Sequence, residues 1–242
     1  MWKAIKLVLI YYAVQIAASF AVGGIYGAVS STYDYGQIVT VSLVVSVVVM
    51  MLILIAMGYQ KDVKRLWNTC SARIQLWSVG LGLAAITFSD LLSQAFSFLP
   101  DIMEDSFSQM ESGWMGVLAI ALLGPVLEEM LFRGGVTEEL LKRFSAGKAI
   151  LYSALIFGIF HLNPAQIVPA CFVGLLLGWL YYKTRSLMPC IIVHIMNNGL
   201  SVALSRMYPE ADSLYDILGL PLYVMSILLA LAIIAGYVRR EC

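Results

Sequence analysis

Apolar residues run along this chain in stretches long enough to be membrane helices, broken at intervals by short polar segments. A hydrocarbon layer about 30 Å thick is crossed by about 20 apolar residues in an α-helix. Stretches of that kind are predicted near residues 7–29, 37–59, 74–99, 114–132, 149–162, 165–182, 187–204 and 217–238. The fifth is too short to span alone unless it is recessed or continues into its flanks. The pattern predicts an all-α polytopic membrane protein, a bundle of about eight transmembrane helices. They form a single integral membrane domain over residues 1–242. The first stretch is long and lacks a small-residue cleavage site before Ser30 and Tyr33, so it reads as a retained helix rather than a secretory signal.

Composition agrees. Hydrophobic residues make up 61% of the chain and charged residues 12%, against about 25% charged in soluble domains; mean hydropathy is +0.86. A soluble globular enzyme is excluded. The net charge of zero conceals an asymmetry. With the N-terminus inside, Lys3, Lys6, Lys61, Lys64, Arg65, Arg73, Arg133, Lys142, Arg143, Lys148, Lys183, Arg185, Arg239 and Arg240 all fall on one side. Arg206 alone lies opposite, among breaks holding Asp34, Asp101, Glu104, Asp105, Glu111, Glu210, Asp212 and Asp216. Short cytoplasmic loops collect Lys and Arg, so a cell-membrane protein with both termini cytoplasmic is expected. Its first partner is the lipid bilayer, and no nucleic-acid partner is expected. Cys70, Cys171, Cys190 and Cys242 are scattered without C-x-x-C spacing, which suggests neither a disulfide framework nor a thiolate metal site.

Ionisable groups are costly inside a bilayer, and those that remain pair with one another or line a cavity. Here they concentrate in the fourth, fifth and seventh stretches, which hold Glu128 and Glu129, His161, then His194 and Asn198. Both histidines of the chain are in that set. Stretches four to seven are therefore expected to form an inner bundle shielded by the rest. Helical neighbours diverge by about 100° while residues four apart share a face. Glu129 and Arg133 can pair, which leaves Glu128 in another sector with no local partner. By the same spacing Phe157 and His161 share a face, as do His194 and Asn198, and Asn163-Pro164 closes the fifth helix.

Two imidazoles, one carboxamide and one free carboxylate on three helices suit amide hydrolysis. Glu128 with His161 would deprotonate a water, and His194 with Asn198 would donate hydrogen bonds to the oxyanion. A zinc ion held by His161, His194 and Glu128 would supply the same nucleophile. No H-E-x-x-H signature is present, and a cysteine nucleophile is not expected. If the fourth helix continues to Leu141, a rise of about 1.5 Å per residue puts Glu128 about 20 Å in and His194 about 10 Å in from Leu187. Tilts and a water-filled inlet are then needed to bring them together.

In order and in membrane setting, E-E-x-x-x-R at Glu128, Glu129 and Arg133, F-x-x-x-H at Phe157 and His161, and H-x-x-x-N at His194 and Asn198 resemble the CPBP family. That family groups type II CAAX prenyl endopeptidases with bacteriocin-processing and bacteriocin self-immunity (Abi) proteins. The likeness covers about residues 113–205, the expected catalytic core. It implies an eight-helix intramembrane endopeptidase whose site opens toward the cytosol. By resemblance, Glu128 is the general base, His161 its partner on the water, and His194 with Asn198 the oxyanion donors. Glu129, Arg133 and Phe157 hold the site. A metal-free, glutamate-dependent mechanism is favoured over zinc, because Glu128 can act without a metal and only two histidines exist as nitrogen ligands. The expected substrate is a hydrophobic or membrane-associated peptide, and prenyl specificity is not carried over. The alternatives are a non-catalytic immunity or membrane-partner-binding protein and a proton-coupled transporter.

Other polar and small residues are expected to serve packing. Asp90, with Ser89 and Ser93 on the third helix, either lines the cavity or accepts a hydrogen bond from a neighbouring helix. Gly174 and Gly178 have the G-x-x-x-G spacing of close helix contacts. Trp2, Tyr11, Tyr12, Trp67, Trp77, Trp114 and Trp179 read as interfacial anchors.

Overall fold

The computed structural model describes residues 1–30 and 34–241, Arg240 and Glu241 by backbone alone. Tyr33, Cys242 and the Arg240 side chain, named above, lie outside the described residues. Ten helices follow one another among the described residues, and no strand. They are α1 (Trp2–Val29), α2 (Tyr35–Ala56), α3 (Val63–Leu66), α4 (Ala72–Ala95), α5 (Glu104–Glu111), α6 (Trp114–Leu141), α7 (Ala146–Phe160), α8 (Pro164–Thr184), α9 (Met188–Met207) and α10 (Leu214–Glu241). Seven of them are long and apolar enough to cross a membrane. The exception among the eight expected is α7: its 15 residues span about 22 Å, short of the hydrocarbon thickness. The small helices α3 and α5 are additions that the apolar pattern does not contain.

Local chemistry sets the ends. Asp34, Asp62 and Ser71 accept from the backbone N–H groups of Gln37, Arg65 and Ile74 and so start α2, α3 and α4. Pro164 and Pro189 sit in the first turns of α8 and α9, where a missing N–H costs nothing. Gly219 breaks α10 at φ 68° just before Pro221, a left-handed conformation that glycine adopts without strain.

The fourth stretch runs on past Arg133-Gly134-Gly135 because two π-helical segments, Ala119–Leu123 and Phe132–Thr137, carry α6 to Leu141. Around it, α1 and α2 pair with each other and lean on α6, and α7 and α8 form a tight hairpin. The hairpin is close because a Cβ on Gly158 would fall 2.2 Å from Cys171 Sγ, one on Gly174 3.0 Å from Ala154 Cα, and one on Gly178 3.2 Å from Ile150. The G-x-x-x-G pair thus serves packing. Helix α4 is more central than a shielding helix, lying along α9, α10 and α8. Leu222, Met225, Leu228 and Leu229 leave the outer face of α10 apolar and exposed, as lipid contact requires. Buried Leu7, Met50, Leu81, Leu127, Phe132, Phe157 and Leu177 form the core around the middle of α6.

Candidate active site

Glu128 and Glu129 stand in the short α-helical stretch Gly124–Leu131 between the two π segments. The first π segment follows from the sequence. Its ladder runs five residues apart, with the Gly124 N–H bonded to the Ala119 carbonyl. The next bond would need an N–H at Pro125, which has none, so the Ile120 carbonyl is left without a helical partner. Asn198 Nδ2 donates to it at 3.4 Å. The carboxamide is held from its other side by Asn197 Nδ2, 3.1 Å from Asn198 Oδ1, and Asn197 in turn accepts from Ser89 of α4.

A buried charge cluster lies one turn away. Glu129 Oε1 accepts from Arg133 Nη1 at 2.9 Å and from His194 Nδ1 at 2.7 Å, with both members of the Glu–Arg pair fully buried and His194 3% exposed. Arg133 also donates from Nη2 to the Gly174 carbonyl and lies 4.8 Å over the Phe157 ring. Because an ionised carboxylate only accepts, the proton of the Glu129–His194 bond is on Nδ1. The remaining nitrogen, His194 Nε2, faces Glu128 Oε2 at 3.8 Å. Glu128 is 18% exposed, and its Oε2 makes no hydrogen bond within the described protein. On α1, the Tyr12 hydroxyl donates to the Phe160 carbonyl and Tyr11 packs on the Phe160 ring.

His161 terminates α7. Its Nδ1 bonds the Phe157 carbonyl at 2.9 Å, and a carbonyl can only accept, so Nδ1 carries the proton and Nε2 is the free nitrogen of the neutral ring. Phe157 stands between the histidines, edge-to-face with His161 at 4.9 Å and with His194 at 5.8 Å. Two residues on, buried Asn163 accepts from the Ile102 N–H and donates to Asp101, tying the recessed end of α7 to the segment after α4.

Glu128, Glu129, Arg133 and His194 thus share one cluster. His161 reaches it through the Phe157 ring and makes no hydrogen bond to either glutamate among the described residues. Asn198 lies a turn beyond His194 and is spent on Ile120 and Asn197. Arg133, counted above among loop cations, is an interior residue. The expected mismatch in depth also resolves. Arg65 donates to Glu138 at 3.1 Å, Tyr181 donates to it as well, and Arg185 lies 3.6 Å away. The basic ends of the helices therefore meet at Glu138 rather than Leu141, ten residues or about 15 Å from Glu128. Asp90 has a structural role: it accepts from the Leu214 N–H at 2.8 Å, from Tyr223 and from Gln94, fastening α10 to α4. No group of three or more His, Cys, Asp or Glu side chains among the described residues is arranged to hold a metal ion. Tyr11, Tyr12 and Asn197 were not singled out for the site by their spacing. The two tyrosines read as anchors, and nothing in the period of α1 points them at a residue more than a hundred positions away.

A helical membrane bundle that keeps two carboxylates, an arginine and two imidazoles among its inner helices defines the class: a polytopic α-helical membrane protein with a polar interior site. Residues 110–200 match the family described as type II CAAX prenyl endopeptidase Rce1-like, which supports the resemblance to the CPBP family. It is similar to the membrane-embedded CAAX protease MroQ of Staphylococcus aureus (strain USA300), 29% identical over 102 residues, which are 39% of this chain and 41% of that one. It is also similar to the putative membrane peptidase YdiL of Bacillus subtilis (strain 168), 29% identical over 101 residues, 40% of this chain and 41% of that one. The match thus spans about two fifths of these curated relatives. No solved structure matches.

Proposed function

We propose that the chain is an intramembrane endopeptidase that hydrolyses a peptide bond of a hydrophobic or membrane-associated peptide with a water activated by Glu128. One observation carries the reading. Glu128 Oε2 has no hydrogen bond within the described protein and lies 3.8 Å from His194 Nε2, whose other nitrogen is held by Glu129. Charge counting supports it. With Glu129 and Arg133 paired, the cluster is neutral when Glu128 and His194 share one proton, either as carboxylate and imidazolium or as carboxylic acid and imidazole. A low-dielectric interior favours neutrality, and in the carboxylate–imidazolium form Glu128 is the base and His194 Nε2–H the donor.

In the reaction, Glu128 takes a proton from water as the water oxygen bonds to the substrate carbonyl carbon. His194 Nε2–H donates to the developing oxyanion, a contribution of about 10²–10³ in rate for such a donor. Glu128 then returns the proton to the amide nitrogen as the C–N bond breaks. His161, with Nε2 free, faces the same water or the leaving group. Asn198 joins the oxyanion donors only by exchanging its bond to Ile120. A zinc ion held by His161, His194 and Glu128 would polarise the same water, but the described side chains do not group as a metal site.

The matched relatives support a membrane setting, and the Lys and Arg asymmetry supports a topology with both termini cytoplasmic. Purified full-length protein in liposomes is incubated with peptides digested from the membrane proteins of its own host, and the products are read by mass spectrometry. New cleavages are expected with wild type and not with folded Glu128→Gln. Equal cleavage by both would remove Glu128 from the mechanism. Retained peptide binding without cleavage by wild type identifies the immunity-type binder, and proton flux without cleavage the transporter. Loss of activity in chelator, restored by zinc, replaces the metal-free scheme.

A further inference from the structure

Helix α7 ends at Phe160 inside the bundle, where the last four carbonyls of a helix must find partners other than water. Each can be accounted for. The Gly158 and Ile159 carbonyls accept from the N–H groups of His161 and Leu162 in the closing turn. The Phe157 carbonyl accepts from the His161 ring. The Phe160 carbonyl accepts from the hydroxyl of Tyr12 on α1. The last two belong together, because the peptide unit held by Tyr12 is the one that carries His161. The Tyr12 ring lies 5.5 Å from that of Phe160, and Tyr11 packs on Phe160 at 4.7 Å. Helix α1 thus holds the peptide that carries His161, although it lies wholly outside the matched residues 110–200.

We infer that Tyr12 is a positioning residue: its hydroxyl fixes the end of α7 so that the His161 ring keeps its Nδ1–H bonded to Phe157 and its place against the Phe157 ring that also meets His194. The inference rests on the site reading above but not on turnover, so its test is a spectrum rather than an assay. The chain has two histidines. Full-length protein labelled with ¹⁵N-histidine in detergent therefore gives two backbone amides and two rings, with His194 as an internal control. In Tyr12→Phe the His161 amide is expected to shift, since the carbonyl of its own peptide loses its donor. The His161 ring is expected to pass from the Nδ1–H form to a mixture of tautomers, while both His194 signals stay. A shifted amide with an unchanged ring would reduce Tyr12 to a helix cap and overturn the inference, and so would no change at all. Should Tyr12→Phe fail to fold, 3-fluorotyrosine at position 12 keeps the ring and hydroxyl but strengthens the donor. It should move the His161 amide and ring and leave His194 in place, and silence at the His161 ring would again refute the idea. Failure to find any cleaved peptide, with the ring shifted, counts against the protease reading and not against this one.

Discussion

Glu128 and Glu129 are neighbours with opposite fates, because one step along a helix turns the side chain by about 100°. Glu129 is fully buried between Arg133 and His194, so removing either end of its ion pair strands a charge. Glu129→Gln and Arg133→Met should each cost about 3–5 kcal/mol, read as thermal unfolding in detergent. The double variant should cost clearly less than their sum, because it strands nothing. Among the described residues Glu128 pairs with nothing at hydrogen-bond distance, so Glu128→Gln should leave unfolding unchanged while abolishing peptide cleavage. That contrast separates a chemical group from a structural one. The i, i+4 spacing made the Glu129–Arg133 pair and the oddness of Glu128 legible. Helical spacing reports only one helix, so the turn of His194 toward both glutamates was not, nor was the diversion of Asn198 to Ile120.

The helices themselves were plain from apolar length, including the shortness of α7. What the pattern could not contain was the geometry within an element, because a π turn changes the ladder without changing hydropathy. Pro125 makes that geometry testable. Pro125→Ala returns an N–H within reach of the Ile120 carbonyl, which Asn198 now serves. Asn198→Ala should therefore be less destabilising in the Pro125→Ala background than alone. A coupling of about 0.5–1.5 kcal/mol is expected from a double-mutant cycle of unfolding midpoints, and strict additivity would show that the carboxamide has another partner. The α7–α8 hairpin offers a steric counterpart. In Gly158→Ala the new Cβ would meet Cys171 Sγ at 2.2 Å and the Ile167 carbonyl at 2.7 Å. Backbone cannot rotate out of the way, so a loss of about 1–3 kcal/mol is expected.

At the scale of the molecule, the bundle sorts its charges by end, and this turns a counting rule into a geometric one. The segment from α2 through α3 carries Lys61, Lys64 and Arg65, and the loop after α8 carries Arg185. They come together in space: Arg65 and Arg185 both reach Glu138, the Leu187 N–H bonds the Leu66 carbonyl at 2.6 Å, and Ser186 bonds the carbonyls of Leu66 and Asn68. At the other end Asp101 holds Asn163, and Arg206, the cation left out of the basic side, is bonded to the Glu111 carbonyl. Positive loops face the cytoplasm, so Cys70, in the basic loop before α4, is expected there. In a chain with Cys242→Ser, a membrane-impermeant maleimide should label Cys70 in inverted vesicles and not in intact cells. Cys190 is buried and Cys171 packs against Gly158, so neither competes for the reagent. An added cysteine at Ala211, in the loop before α10, should label with the opposite sidedness. Labelling of Cys70 in intact cells would invert the molecule, and the face from which a peptide reaches Glu128 would invert with it.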